Sequence, residues 1–202
     1  MKCKSDLRGA VLARRDALST EEIAGKSRAA GEHLFSLPEF ARARLVMFFV
    51  TFGSEIDTLP MMKQSIASGQ RVAAPQADRE TRSLLPCEIV DPETDLAPGA
   101  YGIREPRPGC RIVTPDQIDV VLVPAAVWGQ DGYRLGYGAG YYDRFLARAP
   151  RARRIGLGLE VQAVARVPHG DHDLPVDVLV TEAGVRRFAH RPAVAKGGGD
   201  GG

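Results

Sequence analysis

The chain predicts an α/β fold, a three-layer α/β/α sandwich around a mostly parallel sheet. Three observations carry that prediction. Short, wholly apolar runs such as Leu45-Val46-Met47-Phe48-Phe49-Val50 and Val120-Val121-Leu122-Val123 suit strands covered on both faces. Segments with helical spacing of apolar residues alternate with them, and turn residues punctuate the alternation. With 202 residues and 44% hydrophobic content the chain can bury one substantial core, so one domain is expected over 1–190. The glycine-rich tail at 191–202 is expected to be disordered.

The elements follow in order. Leu7, Val11 and Leu18 recur at helical spacing while Lys4, Arg8, Arg14 and Arg15 occupy other faces, which predicts a first helix over 5–18. Lys4 and Arg8 stand four apart on one face, and such a pair repels by roughly 0.2–0.5 kcal/mol unless an anion sits between the two cations. They are candidate phosphate contacts, or else solvated side chains at a helix end. Ser19-Thr20-Glu21-Glu22 has the form of a capping box, so a second helix begins there and ends near Ser36. Gly25-Lys26-Ser27 imitates the end of a P-loop, but Thr20 stands where its first glycine belongs and the segment reads as mid-helix. After the strand at 45–50, Asp57 or Thr58 can cap a third helix over 59–68, stopped by Gly69. A strand at 71–74 then stops at Pro75 and completes a β-α-β unit. Glu55 sits just past the carboxyl end of the first strand, the edge where open α/β sheets bind ligands. There it can accept hydrogen bonds from a ligand's amine or amide groups, or simply face solvent.

Residues 84–89 read as an edge strand because of Pro86. Asp91-Pro92 and Ala97-Pro98-Gly99 mark turns, and Gly102-Ile103-Arg104-Glu105-Pro106 reads as an ordered extended loop with no chemical role evident from pattern. A strand at 119–124, a helix at 141–149, a strand at 155–159, a short helix at 161–166 and a strand at 176–181 complete the alternation.

Composition narrows the function classes. A formal charge of +2 asks for neither a nucleic acid nor a membrane, and Arg151-Ala152-Arg153-Arg154 reads as a solvated face. Cys3, Cys87 and Cys110 show no C-x-x-C spacing, so neither a disulfide framework nor a zinc site is expected, and a reducing cytosol is the natural compartment. Residues 1–18 lack the apolar core of a signal peptide. No apolar run approaches the ~20 residues that span a bilayer. A cytoplasmic protein is expected.

The chemistry concentrates between Asp131 and Arg144. Glycines at 132, 136, 138 and 140 remove the Cβ atoms that would keep a ligand off the backbone, and they permit positive φ, so several N–H groups can turn toward one anion. The helix that follows adds unpaired N–H groups and the positive end of its dipole, and Arg134 offers a planar fork for phosphate oxygens. Asp143 can hold a Mg²⁺ that travels with a nucleotide triphosphate. The plainer reading is a tight turn with an Arg–Asp pair. The spacing 136-138-140 is not that of a dinucleotide fingerprint. His169-Gly170-Asp171-His172-Asp173 has no partner set for tetrahedral zinc, whereas Asp171 or Asp173 facing Asp143 would suit Mg²⁺. A polar turn without a ligand is the alternative.

Taken together, Lys4-x-x-Leu7-Arg8, Glu55-Ile56-Asp57-Thr58, the segment 102–106, Arg134-Leu135-Gly136-Tyr137-Gly138-Ala139-Gly140-Tyr141-Tyr142-Asp143, and His172-Asp173 with Val176-Asp177 resemble the 5-formyltetrahydrofolate cyclo-ligase family, also called 5,10-methenyltetrahydrofolate synthetases. The glycine block is the specific part, and Ala139 stands where many members carry Gly or Lys. The resemblance implies a Rossmann-like fold and an ATP- and Mg²⁺-dependent cyclisation of 5-formyltetrahydrofolate. It also implies residue roles. Lys4, Ser5, Asp6, Leu7 and Arg8, with Arg134, Leu135, Gly136, Tyr137, Gly138, Ala139, Gly140, Tyr141 and Tyr142, correspond to the ATP site. Lys4, Arg134 and Tyr141 are implied as catalytic, Val50, Glu55 and Tyr137 to Tyr141 as folate contacts, and Asp143 and Asp173 as Mg²⁺ ligands. The implied partners are the folate and ATP alone, and a monomer is expected. A non-catalytic nucleotide- or folate-binding module and a sugar-phosphate isomerase are the competing classes, the latter lacking a clear general base in this sequence.

Overall fold

In the computed structural model, which describes residues 3–99 and 103–189, the apolar runs lie side by side in a seven-stranded sheet. Its strands are β1 (Leu45–Met47), β2 (Arg71–Asp78), β3 (Ser83–Ile89), β6 (Val120–Val123), β9 (Arg153–Leu157), β11 (Val178–Thr181) and β12 (Gly184–Arg187). The spatial order is β12-β11-β9-β6-β1-β2-β3; the five central strands are parallel, and β12 and β3 run antiparallel at the two edges. The helices are α1 (Lys4–Asp16), α2 (Thr20–Phe35), α3 (Pro38–Ala41), α4 (Leu59–Ala67), α5 (Pro92–Asp95) and α6 (Tyr141–Arg148).

The pleat explains the three layers, since successive side chains of a strand point to opposite faces. Val46, Phe48, Leu122, Val120 and Val178 pack with Leu34, Phe40 and Met62 from α2, α3 and α4 on one face. Leu45, Met47, Val121, Val123 and Leu179 pack with Phe145 and Leu146 of α6 on the other. Both faces are apolar, hence the continuous apolar runs. The chain leaves β1 through α4 to β2 in one direction, and leaves β6 through α6 to β9 in the other. Neighbouring strands β1 and β6 therefore feed helices on opposite faces, and a crevice opens beyond their carboxyl ends, the position at which such sheets bind ligands.

A smaller sheet builds one wall of that crevice. It consists of β7 (Val127–Gly129) between β8 (Arg134–Leu135) and β10 (Ala163–Val164). Helix α1 docks on it through Val11, which packs with Ala126, Val127, Leu135 and Val167. Trp128 of β7 is fully buried against β9 and the residue that follows it, and a Cβ on Gly156 or Gly158 would come within 2.6 Å of the indole.

Several expectations need correction. Strand β2 runs on through Pro75, because Pro75 faces Pro86 of β3; neither proline has an N–H to offer, so they form a non-hydrogen-bonded pair and no ladder bond is lost. The helix expected over 161–166 is a 3-10 turn at Glu160–Gln162 followed by β10, whose partner Trp128 is distant in sequence. Ile103 onward is more than an extended loop: β5 (Arg104–Pro106) pairs with β4 (Leu96–Pro98), and Arg104 Nη2 donates to Pro92 O at 2.9 Å. Cys87 and Cys110 are joined in a disulfide, contrary to the reading of the cysteines, because the segment after β5 folds back along β3; Glu88 N donates to Arg111 O and Val113 N to Pro86 O. Cys3 is free and exposed. Other expectations match. Ser19 and Glu22 form both bonds of the capping box, and Asp57 Oδ1, rather than the Thr58 side chain, accepts from the first turn of α4. No helix among the described residues is long and apolar enough to cross a membrane. The tail at 191–202 and Gly102 lie outside the described residues.

Candidate functional site

The loop between β8 and α6 stands over the crevice. Gly138 and Gly140 take φ of +103° and +67°, conformations that side chains with a Cβ rarely adopt. A Cβ added at Gly136 or Gly138 would meet nothing within 4 Å, so their bare backbone faces open space. Three arginines brace the loop from outside. Arg8 Nε donates to Gly136 O at 2.9 Å, Arg144 Nη2 to Ala139 O at 2.7 Å, and Arg15 Nη1 to the Tyr137 hydroxyl at 2.9 Å. Arg144 also donates to Arg82 O and lies over the Tyr141 ring. With carbonyls of the loop taken by cations, the N–H groups are the complementary side available to an anion.

Arg134 is buried, and its fork is engaged. Nη1 donates to Leu174 O at 2.5 Å and Nη2 to Asp143 Oδ1 at 2.8 Å. Asp143 Oδ1 also accepts from Leu174 N at 3.2 Å; Oδ2 takes neither bond. Asp173 accepts from Gly170 N and lies 3.7 Å from Lys4 Nζ. Gly140, Asp143, Arg144, His172, Asp173 and Leu174 line one open cavity of about 500 Å³. The two aspartates implied as metal ligands thus share a cavity with the end of the glycine loop, and Asp173 forms an ion pair with Lys4. Among the described residues no group of three or more His, Cys, Asp or Glu could hold a metal by itself. Two carboxylates lining one open cavity are donors of the type Mg²⁺ takes, since it keeps several waters and binds through one or two carboxylates plus phosphate oxygens. His169 lies away from a metal role, stacked on Tyr133 at 3.6 Å between ring centroids.

On the other side of the loop, Glu55 is only 7% exposed. Its Oε1 accepts from Tyr137 Oη at 2.6 Å and its Oε2 from Phe52 N at 3.1 Å. Burial pushes the Glu55 carboxyl above the ordinary range, while the Tyr137 hydroxyl, the Phe52 N–H and the Arg15 guanidinium pull the other way. The phenols of Tyr137 and Tyr142 are driven upward, chiefly by burial, so both remain protonated donors. Val50 and Tyr142 are half-buried against the core beneath the crevice. Leu135 points into the core under α1, so its contribution to a ligand is its backbone. Ser5, Asp6 and Lys4 are exposed on the first turn of α1, and Leu7 packs against the small sheet.

Sequence reasoning missed Arg15 and Arg144. A signal for Arg15 existed: it follows Arg8 by seven residues, two turns along the same helical face as buried Val11. Nothing local marks Arg144, whose acceptors lie in the loop and near the β2–β3 turn.

A three-layer α/β domain with a glycine loop at its switch point, beside a buried carboxylate, falls in the class of Rossmann-like folds. The 5-formyltetrahydrofolate cyclo-ligase family matches over residues 1–182, and the chain belongs to that family. It is 29% identical to the 5-formyltetrahydrofolate cyclo-ligase of Escherichia coli strain K12, over 85% of this chain and 96% of that protein. It is 31% identical to that of Mycolicibacterium smegmatis, over 89% of this chain and 94% of that protein. The solved 5,10-methenyltetrahydrofolate synthetase of Aquifex aeolicus superposes with a TM-score of 0.82 at 33% identity, covering 98% of this chain and 99% of that one.

Proposed function

We propose that this protein closes 5-formyltetrahydrofolate to 5,10-methenyltetrahydrofolate at the expense of ATP, with Mg²⁺ on the nucleotide. Family membership supports the reaction, and one observation carries the site: a bare-backboned glycine loop with Asp143 and Asp173 in one cavity on one side and buried Glu55 on the other. In this reading the formyl oxygen attacks the γ-phosphorus and the bond to the bridging oxygen breaks, releasing ADP. N10 then attacks the phosphorylated formyl carbon, the carbon–oxygen bond breaks, and phosphate leaves as N10 gives up its proton. Positioning and charge stabilisation are what the protein supplies.

Backbone N–H groups of 136–140 and the start of α6 receive phosphate oxygens, helped by Lys4, Arg8 and Arg134. Ser5, Asp6 and Leu7 line the nucleotide from the first turns of α1, with Leu135 and Tyr142 beneath. Tyr141 stands between the two ligands. Asp143 and Asp173 would hold Mg²⁺, which supplies neutralisation of phosphate charge. Val50 and Glu55 meet the folate, Val50 by apolar contact and Glu55 by accepting from pterin nitrogens. The protein works in the cytoplasm as a monomer in this reading.

The test is turnover of 5-formyltetrahydrofolate followed by absorbance of the conjugated methenyl product, with and without MgATP. Product that requires ATP supports the reading, and folded protein that binds ATP without making product refutes it. Glu55 adds a pH signature. Its carboxyl titrates above the ordinary carboxylate range, so folate affinity that depends on the charged form falls as pH drops through that raised value. Glu55→Gln is expected to weaken folate binding about tenfold or more at neutral pH and to flatten this acid limb. A variant whose KM–pH profile overlays that of the unsubstituted protein would remove Glu55 from the folate site.

A further inference from the structure

Arg15 is 4% exposed, an unusual place for a cation on a helix whose Lys4, Asp6, Arg14 and Asp16 face solvent. Its fork reaches three groups at the crevice. Nε donates to Ser54 Oγ at 2.9 Å, Nη1 donates to Tyr137 Oη at 2.9 Å, and Nη1 lies 3.9 Å from Glu55 Oε1. Asp16 closes the outer end, 3.6 Å from Nη2 and accepting from the Ser54 hydroxyl. The chain of donors runs one way, from guanidinium to phenol to carboxylate, so Tyr137 can offer its single proton only to Glu55.

The carboxylate keeps room for a ligand. An ionised carboxylate has about four acceptor positions, and here Tyr137 and the Phe52 N–H use one on each oxygen. One position per oxygen remains, the pattern that a pair of adjacent N–H donors on a flat heterocycle would fill. Phe52 and Tyr137, the two residues bonded to Glu55, are also among the few exposed large apolar side chains, at 39% and 49%. Exposed aromatic surface beside an oriented buried carboxylate is the composition of a binding subsite.

We propose that Arg15 is a positioning residue of the folate subsite: acting through Tyr137, it fixes which lone pairs of Glu55 are presented to the pterin and ties that carboxylate to the glycine loop. The proposal rests on the cyclo-ligase reading for the identity of the ligand. Arg15 touches no reacting atom. It differs from a purely structural ion pair in one respect: disturbing it should alter affinity for one ligand and spare the other.

The experiment measures the dissociation constants of 5-formyltetrahydrofolate and of MgATP separately, by calorimetry, for the unsubstituted protein, Arg15→Lys, Tyr137→Phe and the double variant. A lysine keeps the charge but has no fork to span Ser54 and Tyr137. Arg15→Lys is expected to weaken folate binding about tenfold while MgATP stays within about twofold, and Tyr137→Phe to weaken folate by a similar factor. Because the two act as one chain, the double variant should be little worse than either single variant. Folate binding unchanged in Arg15→Lys, equal losses for both ligands, or fully multiplying effects would each overturn the proposal. Should Arg15→Lys not fold, Tyr137→Phe alone decides, since an unchanged folate constant there breaks the chain. An unsubstituted protein that binds no folate overturns both this proposal and the cyclo-ligase reading. One that binds folate without ATP-dependent turnover overturns only the latter, and the affinities still judge Arg15.

Discussion

Trp128→Ala is expected to lower the unfolding free energy by about 3–5 kcal/mol, the span for truncating large aromatics in packed cores. The indole is fully buried in the layer under α6 and spans two bare positions, Gly156 of β9 and Gly158 just past it, whose missing side chains make room for it. Strand β7 carries it, so its removal opens a cavity where the small sheet meets the large one. For a domain of this size about 2–4 °C is lost per kcal/mol, so the melting midpoint should fall by roughly 6–20 °C. Circular dichroism is the suitable probe, because the chain has a single tryptophan and the variant loses its indole fluorescence. Trp128→Phe should cost clearly less. The indole Nε1–H is buried with no acceptor among the described residues, and phenylalanine removes that unsatisfied donor along with part of the volume. A Trp128→Ala midpoint within 2 °C of the unsubstituted protein would show that β7 is not packed as described.

Arg134→Ala is expected to hurt on two counts. Losing the guanidinium strands Asp143 beside a buried wall and frees the Leu174 carbonyl, a cost of about 1.5–3 kcal/mol for a charged hydrogen-bonding group. The same side chain ties Leu174 to Asp143 of α6, so the cavity that brings Asp143 and Asp173 together loses that tie. MgATP affinity should therefore drop about 10- to 100-fold, in line with 1.4–2.8 kcal/mol. Arg134→Lys should recover only part of this, since one ammonium cannot bridge both acceptors. Titration of MgATP by calorimetry, alongside thermal unfolding, separates the two losses. Nucleotide affinity that survives Arg134→Ala would confine this arginine to holding the loop in place.

The parts of the architecture that follow from short-range rules were legible in the residues. Apolar runs at 45–50 and 120–123 announced strands buried on both sides, and they alternate between the two cores. The capping box at Ser19 announced α2, and both of its bonds form. What escaped depends on partners far away in the chain. Strand β2 continues past Pro75 only because Pro86 faces it, and β10 is two residues whose strand character comes from Trp128. The Cys87–Cys110 link likewise depends on how the segment after β5 folds back, which spacing does not encode. At the site, glycine pattern and carboxylates drew attention to 134–143 and Glu55. The braces behind them did not, because an arginine that holds a carbonyl looks in sequence like any arginine on a helix. Arg144 was of this kind, whereas Arg15 holds the hydroxyls of Ser54 and Tyr137.

Helix α1 meets the glycine loop across a separation of 128 residues between Arg8 and Gly136. During synthesis at ~5–20 residues per second, the first helix therefore leaves the ribosome roughly 6–25 s before its counterpart exists. Through most of that interval Val11 lacks Ala126, Val127 and Leu135, and Arg15 has Ser54 but not Tyr137. A nascent polypeptide released by premature termination before Tyr137 carries the helix without the phenol that joins Arg15 to Glu55. Assembly of the crevice thus waits on residues made well after the helix that braces it.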